Sequence, residues 1–260
     1  MNITLDIETI PCQDPEMIRA LAQEAEADLA AELAAVKAPA NYKVAETIAA
    51  YCAKAAQDLR DAHADKVKSN WLKTSFDGGL GQVVVIGFAV EGDEPIAMAV
   101  TDLSAAEEVK LLKLFFSRLS HLYNPTNTPQ FIGHNLIGFD VPFLWKRCMV
   151  RNVRPPIWFP RDPKPWGDQV FDTMTQWAGA RDRIKLAQLC RVLGVKGCKT
   201  DMTGADVWPA IEAGEIERVA EYCMEDVGVT RQVHARMTFA DSKVSTASLK
   251  AERRTADMDY

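Results

Sequence analysis

Three separated segments of the chain carry four carboxylates at spacings suited to divalent-cation chemistry. They are Asp6 and Glu8 in Thr4-Leu5-Asp6-Ile7-Glu8-Thr9, Asp140 in His134-Asn135-Leu136-Ile137-Gly138-Phe139-Asp140, and Asp226 in Tyr222-Cys223-Met224-Glu225-Asp226. Hard cations such as Mg²⁺ take oxygen ligands. Two such ions roughly 3.5–4 Å apart activate a water on one side of a phosphodiester and stabilise the departing oxygen on the other. Four carboxylates balance the charge of two divalent ions, and without metal they repel one another.

The elements that must position these groups can be read around each segment. Ile3, Leu5 and Ile7 alternate with polar residues up to Pro11, which predicts a strand. Residues two apart on a strand face the same way, so Asp6 and Glu8 can share one metal. Tyr222 and Asp226 lie four apart in a stretch with helical apolar spacing and so share one helix face. Asp140 follows the short apolar strand Phe131-Ile132-Gly133 and precedes Pro142, which favours the first turn of a helix. Taken singly, each segment also has a plainer reading: a solvated strand edge, a helix cap at Asp140, an ordinary helix face at Tyr222 and Asp226. Their order in the chain, with Asn135 and Phe139 also present, favours the metal site.

These segments resemble the motifs of the DEDD family of 3′-to-5′ exonucleases in its tyrosine subtype: an acid-x-Glu strand, an Asn-x-x-x-(Phe/Tyr)-Asp segment and a Tyr-x-x-x-Asp helix. The stretch Lys199-Thr200-Asp201-Met202-Thr203-Gly204-Ala205-Asp206-Val207-Trp208, with Glu221-Tyr222-Cys223, is similar to a narrower group related to the proofreading exonuclease domain of B-family DNA polymerases. The resemblance covers Met1–Pro11 and roughly Asp77–Met237. It implies that Asp6 bridges two Mg²⁺ ions, for which Mn²⁺ can substitute. Glu8 and Asp226 then complete the site of the attacking water, Asp140 holds the second ion largely through water, and Tyr222 orients the nucleophile. Asn135 and Phe139, with His134 and Thr9 beside them, are the expected substrate contacts, although a histidine at a strand end often just satisfies backbone groups. The product is a nucleoside monophosphate. In the histidine subtype the place of the base falls on Glu221, and His234 lies on the wrong side of Asp226.

Competing phosphate chemistries fit less well. A phosphatase of the haloacid-dehalogenase type begins Asp-x-Asp-x-Thr, but Glu8 and Ile10 stand at the third and fifth positions. No Gly-rich phosphate loop ending in Lys-Ser or Lys-Thr is present, and Gly78-Gly79-Leu80-Gly81 precedes a strand. The other functional class is a non-catalytic module on the same fold that binds nucleic acid or a protein partner. It has no physical reason to retain five metal-site groups together.

At 260 residues and 48% hydrophobic, the chain can bury one large core with an appendage. Six cysteines without a Cys-x-x-Cys pair predict reduced thiols and no zinc framework. The longest apolar run, Val83–Val90, is eight residues, and no cationic leader precedes the first strand, so a cytoplasmic enzyme without a membrane span is expected. A net charge of −6 sits oddly with a nucleic-acid substrate, but residues 141–200 hold twelve Lys or Arg against four Asp. With Trp158, Phe159 and Trp166 interleaved, this stretch either steers and stacks a nucleic acid, DNA ahead of RNA, or is a solvated loop whose aromatics cover the core.

The expected architecture is α/β, a mixed sheet flanked by helices, which the resemblance makes ribonuclease-H-like. Strands are predicted at 82–90, 95–101, 131–133 and 169–172, and helices at 104–122, 140–149, 184–193 and 216–237. Asp172, at a strand end, is read as structural. The exonuclease domain is expected over 1–238, interrupted at 12–75 by an Ala-rich helical hairpin with apolar residues from Ile18 to Val67 at three- and four-residue steps, turning near Pro39. That hairpin either binds a protein partner or a second copy, or packs on its own domain. The polar stretch 239–260 is expected to be flexible.

Overall fold

The computed structural model describes residues 1–179, 181–197 and 202–240. The expectations for residues 241–260, for Cys198, and for Lys199, Thr200 and Asp201 lie outside the described residues. The element order is β1 (Asn2–Ile10), α1 (Pro15–Ala35), α2 (Ala45–Lys73), a 3₁₀ turn (Thr74–Phe76), β2 (Gln82–Val90), β3 (Ile96–Ala99), α3 (Ala105–Leu122), β4 (Gln130–Gly133), α4 (Asp140–Val150), β5 (Val170–Asp172), α5 (Thr173–Ala178), α6 (Leu186–Leu193), a 3₁₀ turn (Gly204–Asp206), α7 (Val207–Glu212) and α8 (Ile216–Met237). Five strands form one mixed sheet in the order β3-β2-β1-β4-β5. β1 runs antiparallel to β2 and parallel to β4. With helices on both faces, this is a ribonuclease-H-like arrangement.

The apolar face of each element explains its place. β2 is buried along nearly its whole length, as expected for a run of Val, Ile and Phe covered on both sides. Gly87 faces α8, whereas Phe88, next along, packs its ring 5.6 Å from Phe115 of α3. The helices therefore lie on opposite faces of the sheet. α3 is capped by Ser104, whose hydroxyl accepts the Glu107 N–H at 3.3 Å, while the Glu107 side chain turns to the Thr101 N–H and not back to the cap. Glu108 in the same turn is fully buried. It accepts from Val83 N at 3.0 Å, from Arg147 of α4 at 2.7 and 2.8 Å, and from Arg151 at 2.6 Å. One acid thus ties α3, β2 and α4 together.

α2 returns along α1, joined to it by Lys66 to Glu32 at 2.6 Å and His63 to Glu26 at 3.0 Å, and neither helix has a fully buried residue. Their base is anchored where the Trp71 indole donates to the Cys12 carbonyl at 2.9 Å and meets Trp208 edge-on at 5.4 Å. Between the helices runs a groove of about 450 Å³, lined by Ile18, Leu21, Ala25, Val67 and Trp71 among others.

The longer elements fall where the periodicity places them. α5 and α7 were not expected, because six residues hold too little of a 3.6-residue period to stand out. Cys12, Cys52, Cys148 and Cys223 are free thiols, but Cys190 is disulfide-bonded, a departure from the reduced state expected throughout. Among the described residues no helix is long and apolar enough to cross a membrane.

Removing a buried charge's only counter-ion costs about 3–5 kcal/mol. Glu108→Ala, which leaves Arg147 buried and unpaired, is therefore expected to lower unfolding free energy by about that much in urea titrations. A loss below about 1 kcal/mol would mean that water reaches the guanidinium.

Candidate active site

A β-bulge between Glu8 and Thr9 interrupts the β1–β2 ladder just after the two acids, so Asp6 and Glu8 keep their two-residue phase on one face. Opposite Asp6 in the ladder stands Gly87. A Cβ there would lie 2.7 Å from Cys223 Sγ and 3.2 Å from the Cys223 carbonyl, so only glycine lets α8 approach this closely. That approach delivers Tyr222 and Asp226, which share a phenol-to-carboxylate hydrogen bond. It also sets Cys223 Sγ 3.5 Å from Asp6 Oδ2 and 3.6 Å from the Asp6 carbonyl.

Asp140 is the first residue of α4, after Phe139 in the capping position. Its Oδ1 accepts the Ile7 N–H at 3.1 Å, which docks the helix start between Asp6 and Glu8. The loop leading to it is clamped by Asp172, fully buried. Asp172 accepts from Asn135 N at 3.0 Å and Ile137 N at 2.9 Å, and from Met174 N and Thr175 N at the start of α5. Its structural reading fits these four bonds.

The other candidates divide into two kinds. Asn135 takes φ 66°, and its Oδ1 lies 2.5 Å from where a Gly138 Cβ would stand, so side chain and glycine close the turn together. Phe139 remains partly open, its ring 6.5 Å from that of Phe76, which is 73% exposed and was not singled out from the sequence. His134 and Thr9, by contrast, spend their polar atoms within the protein. His134 Nδ1 meets Thr173 Oγ1 and Nε2 meets the Ile184 carbonyl, each at 2.9 Å, while Thr9 donates to the Ser75 carbonyl at 2.7 Å. His234 packs edge-on against Phe171, consistent with its exclusion.

Burial raises the pKa of every one of the four acids. Asp6 and Glu8 go well above the ordinary range, first through loss of solvent around their carboxylates and then because each feels other acids of the group. Asp140 rises to about 7 through burial and the charge of Asp172. Asp226 rises to about 6 through burial, opposed by the Tyr222 hydrogen bond. No cation among the described residues offsets these rises. Glu8, 8% exposed, accepts no hydrogen bond among the described residues. Asp6, Glu8 and Cys223 bring donor atoms within 4.8 Å of one another. From sequence Cys223 counted only as a core thiol, and its one signal was its place between Tyr222 and Asp226.

The basic, aromatic stretch is not one surface. Ile3, Phe131 and Val170 sit level across β1, β4 and β5, so residues 151–169 deliver the chain to the edge where β1 begins, away from the acids. There Trp158 stacks on Tyr123 at 5.0 Å and Phe159 is buried against Phe116 and Phe131. The core-covering reading holds for these two. Arg181, Arg183 and Lys185 are different: exposed, they flank Ile184, whose carbonyl meets His134 just past the end of β4.

A family model described as "Predicted 3′-5′ exonuclease related to the exonuclease domain of PolB" matches residues 70–258. No curated protein matches the chain. The matched span begins after β1, so Asp6 and Glu8 join it through the pairing of β1 with β2 and β4. It also takes in residues 239–258, which the motif resemblance had left aside.

A carboxyl whose folded pKa exceeds its unfolded value stabilises the fold in acid, and that stabilisation is lost as pH rises through the folded pKa. For Asp140 the window runs from 3.8 to about 7. In chelator, Asp140→Asn, which keeps an acceptor for Ile7 N–H, is expected to melt progressively higher than the parent as pH climbs through that window. Melting curves in which the difference shrinks with rising pH would contradict this electrostatic picture.

Proposed function

The chain belongs to this family of predicted 3′-to-5′ exonucleases, and from that premise we propose that it is an exonuclease of the tyrosine subtype, releasing nucleoside monophosphates from the 3′ ends of nucleic acid. The observation that carries the reading is the convergence of Asp6, Glu8, Asp140 and Asp226 from β1, α4 and α8, with the Tyr222 phenol on Asp226. Buried acids without a counter-charge destabilise a fold, so a purely binding module would gain by losing them.

The donor set fits hard divalent cations: all four groups are carboxylates, no cation competes for them among the described residues, and Glu8 has no donor of its own. Asp6, Glu8, Asp140 and Asp226 are the proposed ligands of two Mg²⁺ ions, with Mn²⁺ as a substitute. When bound, such ions lower the pKa of a water and stabilise the leaving oxygen. The protein's own part is positioning. Tyr222, its proton held firmly by burial and nearby carboxylates, offers a hydroxyl to orient the nucleophile. Asn135 is available to the terminal nucleotide by hydrogen bond, and Phe139, beside exposed Phe76, by packing against sugar or base. His134 and Thr9 act by holding the rim in place. Arg181, Arg183 and Lys185 suit a phosphate backbone running toward the acids.

We favour DNA over RNA, with single-stranded or frayed 3′ ends as substrate, and a role in repair or proofreading in trans in the cytoplasm. The division into an exonuclease domain (1–238), an inserted hairpin (12–75) and a polar tail (239–260) belongs to the same proposal. The groove between α1 and α2 suits a protein partner or a second copy.

Matched 5′-labelled DNA and RNA oligomers, incubated with Mg²⁺, Mn²⁺ or chelator, are expected to shorten from the 3′ end only with metal, DNA faster. Asp226→Ala should slow this by roughly a hundredfold or more, and Tyr222→Phe should lower kcat by a comparable factor without loss of metal binding. Oligomers left intact with either metal would overturn the proposal.

A further inference from the structure

Phe76 is 73% exposed, yet the turn that carries it is held on three sides. Thr74 Oγ1 donates to the Trp71 carbonyl at 2.6 Å and Ser75 Oγ to the Leu72 carbonyl at 2.9 Å, which locks the turn to the end of α2. On the β1 side, Thr9 Oγ1 donates to the Ser75 carbonyl at 2.7 Å and the Cys12 N–H to Thr74 Oγ1 at 2.8 Å. On the α4 side, a Cβ on Gly78 would lie 2.9 Å from backbone atoms of Phe143, so the chain leaves the turn flush against that helix. A scattered surface phenylalanine needs no explanation. This one does, because a turn so firmly fixed cannot carry the ring back into the core.

Two contacts place the ring at the rim of the acids. Thr9 directly follows Glu8, so its bond to the Ser75 carbonyl ties the residue before Phe76 to the strand of Asp6 and Glu8. The ring itself lies 6.5 Å from that of Phe139, the residue before Asp140. At that distance, and at 60° to each other, the two rings meet as a tilted pair with no parallel slot between them. A base therefore reaches Phe76 on its open face and not by insertion. Lys146 of α4 meets Asp77 at 3.2 Å and offsets the acid next to Phe76 in the chain, which favours the approach of a phosphate backbone. Ile157 and Trp166 are more exposed, but they belong to the stretch that runs to the far edge of the sheet.

We propose that Phe76 is a specificity-determining residue that stacks on the base preceding the 3′-terminal nucleotide. The inference rests on the exonuclease reading given above. When the terminal nucleotide turns toward the acids beside Phe139, it uncovers one face of the base before it. Phe76 covers that face and so offsets part of the unstacking that a frayed end requires. Every base has such a face, so the contact is indifferent to sequence and selects only for a base being there. α2 runs directly into this turn, so the inserted hairpin contributes to the site by holding the ring in place.

Two single-stranded DNA oligomers test this, one natural and one with an abasic nucleotide in place of the residue before the 3′ end, each followed with Mg²⁺ through release of its first nucleotide. With the full-length parent, KM for the natural oligomer is expected to be about tenfold below that for the abasic one. Phe76→Ala should raise KM for the natural oligomer by about that factor, leave the abasic one unmoved and change kcat by less than about twofold, because the ring touches no reacting atom. Phe76→Trp, which keeps an aromatic face, should restore the preference. A Phe76→Ala protein that prefers the natural oligomer as strongly as the parent does, or that loses kcat while KM holds, would overturn the proposal. The abasic comparison on the parent needs no variant to fold. A parent that shortens both oligomers with equal KM removes the role of Phe76 and leaves the exonuclease standing, and a parent that shortens neither removes both.

Discussion

Four acids within reach of one another, Glu8 and Asp140 buried and Asp6 and Asp226 partly so, with no cation beside them among the described residues, have every one of their pKa values pushed up. Like charges in a poorly hydrated place repel one another, so the surrounding structure must hold them together. Much of the fold can be understood as the means of doing so. β1 carries Asp6 and Glu8 along its ladder with β2, just past the short stretch, Asn2 to Thr4, that pairs with β4 on its other side. The Ile7 N–H fastens Asp140 to that strand, and the buried clamp of Asp172 fastens the loop before it.

The third contributor, α8, depends on an absence of atoms. Gly87 lies opposite Asp6 in the ladder, and a side chain there would lift the helix from the sheet. Close packing is unforgiving of one extra methyl, so this single position sets how near Asp226, Tyr222 and Cys223 come to the strand. The same contact has two consequences: it completes the carboxylate group, and it places a thiol against Asp6.

Away from the acids, Glu108 gathers Arg147, Arg151 and the Val83 N–H into one buried network. Arg147 also donates to the Gly78 carbonyl at 3.1 Å, which steadies the loop after Phe76. Rigidity at the rim therefore comes from charge pairing behind it. The hairpin of α1 and α2 is different in kind: it has no fully buried residue, and its seam is held by exposed pairs that contribute little. Its anchorage through Trp71, not its own core, sets how it stands on the domain.

Period-two alternation in Ile3-Leu5-Ile7 and three- and four-residue steps from Ile216 to Met237 placed β1 and α8, and residue spacing put Asp6 with Glu8 and Tyr222 with Asp226. Those are local matters, set by backbone geometry within a few residues, and so the chain alone decided them. What it left open was everything that joins segments distant in sequence. The aromatics at 158 and 159 looked as suited to a base as to a core, until strand register carried them to the far edge. Cys223 looked like any core thiol, until glycine at 87 brought it to Asp6. The chain offered His134 and Thr9 as substrate contacts, and it could not show the partners, 39 and 66 residues away, that their polar atoms also meet. Side-chain type and spacing state which chemistry a chain can do, but which groups meet depends on packing between elements, where one missing methyl or one strand register decides.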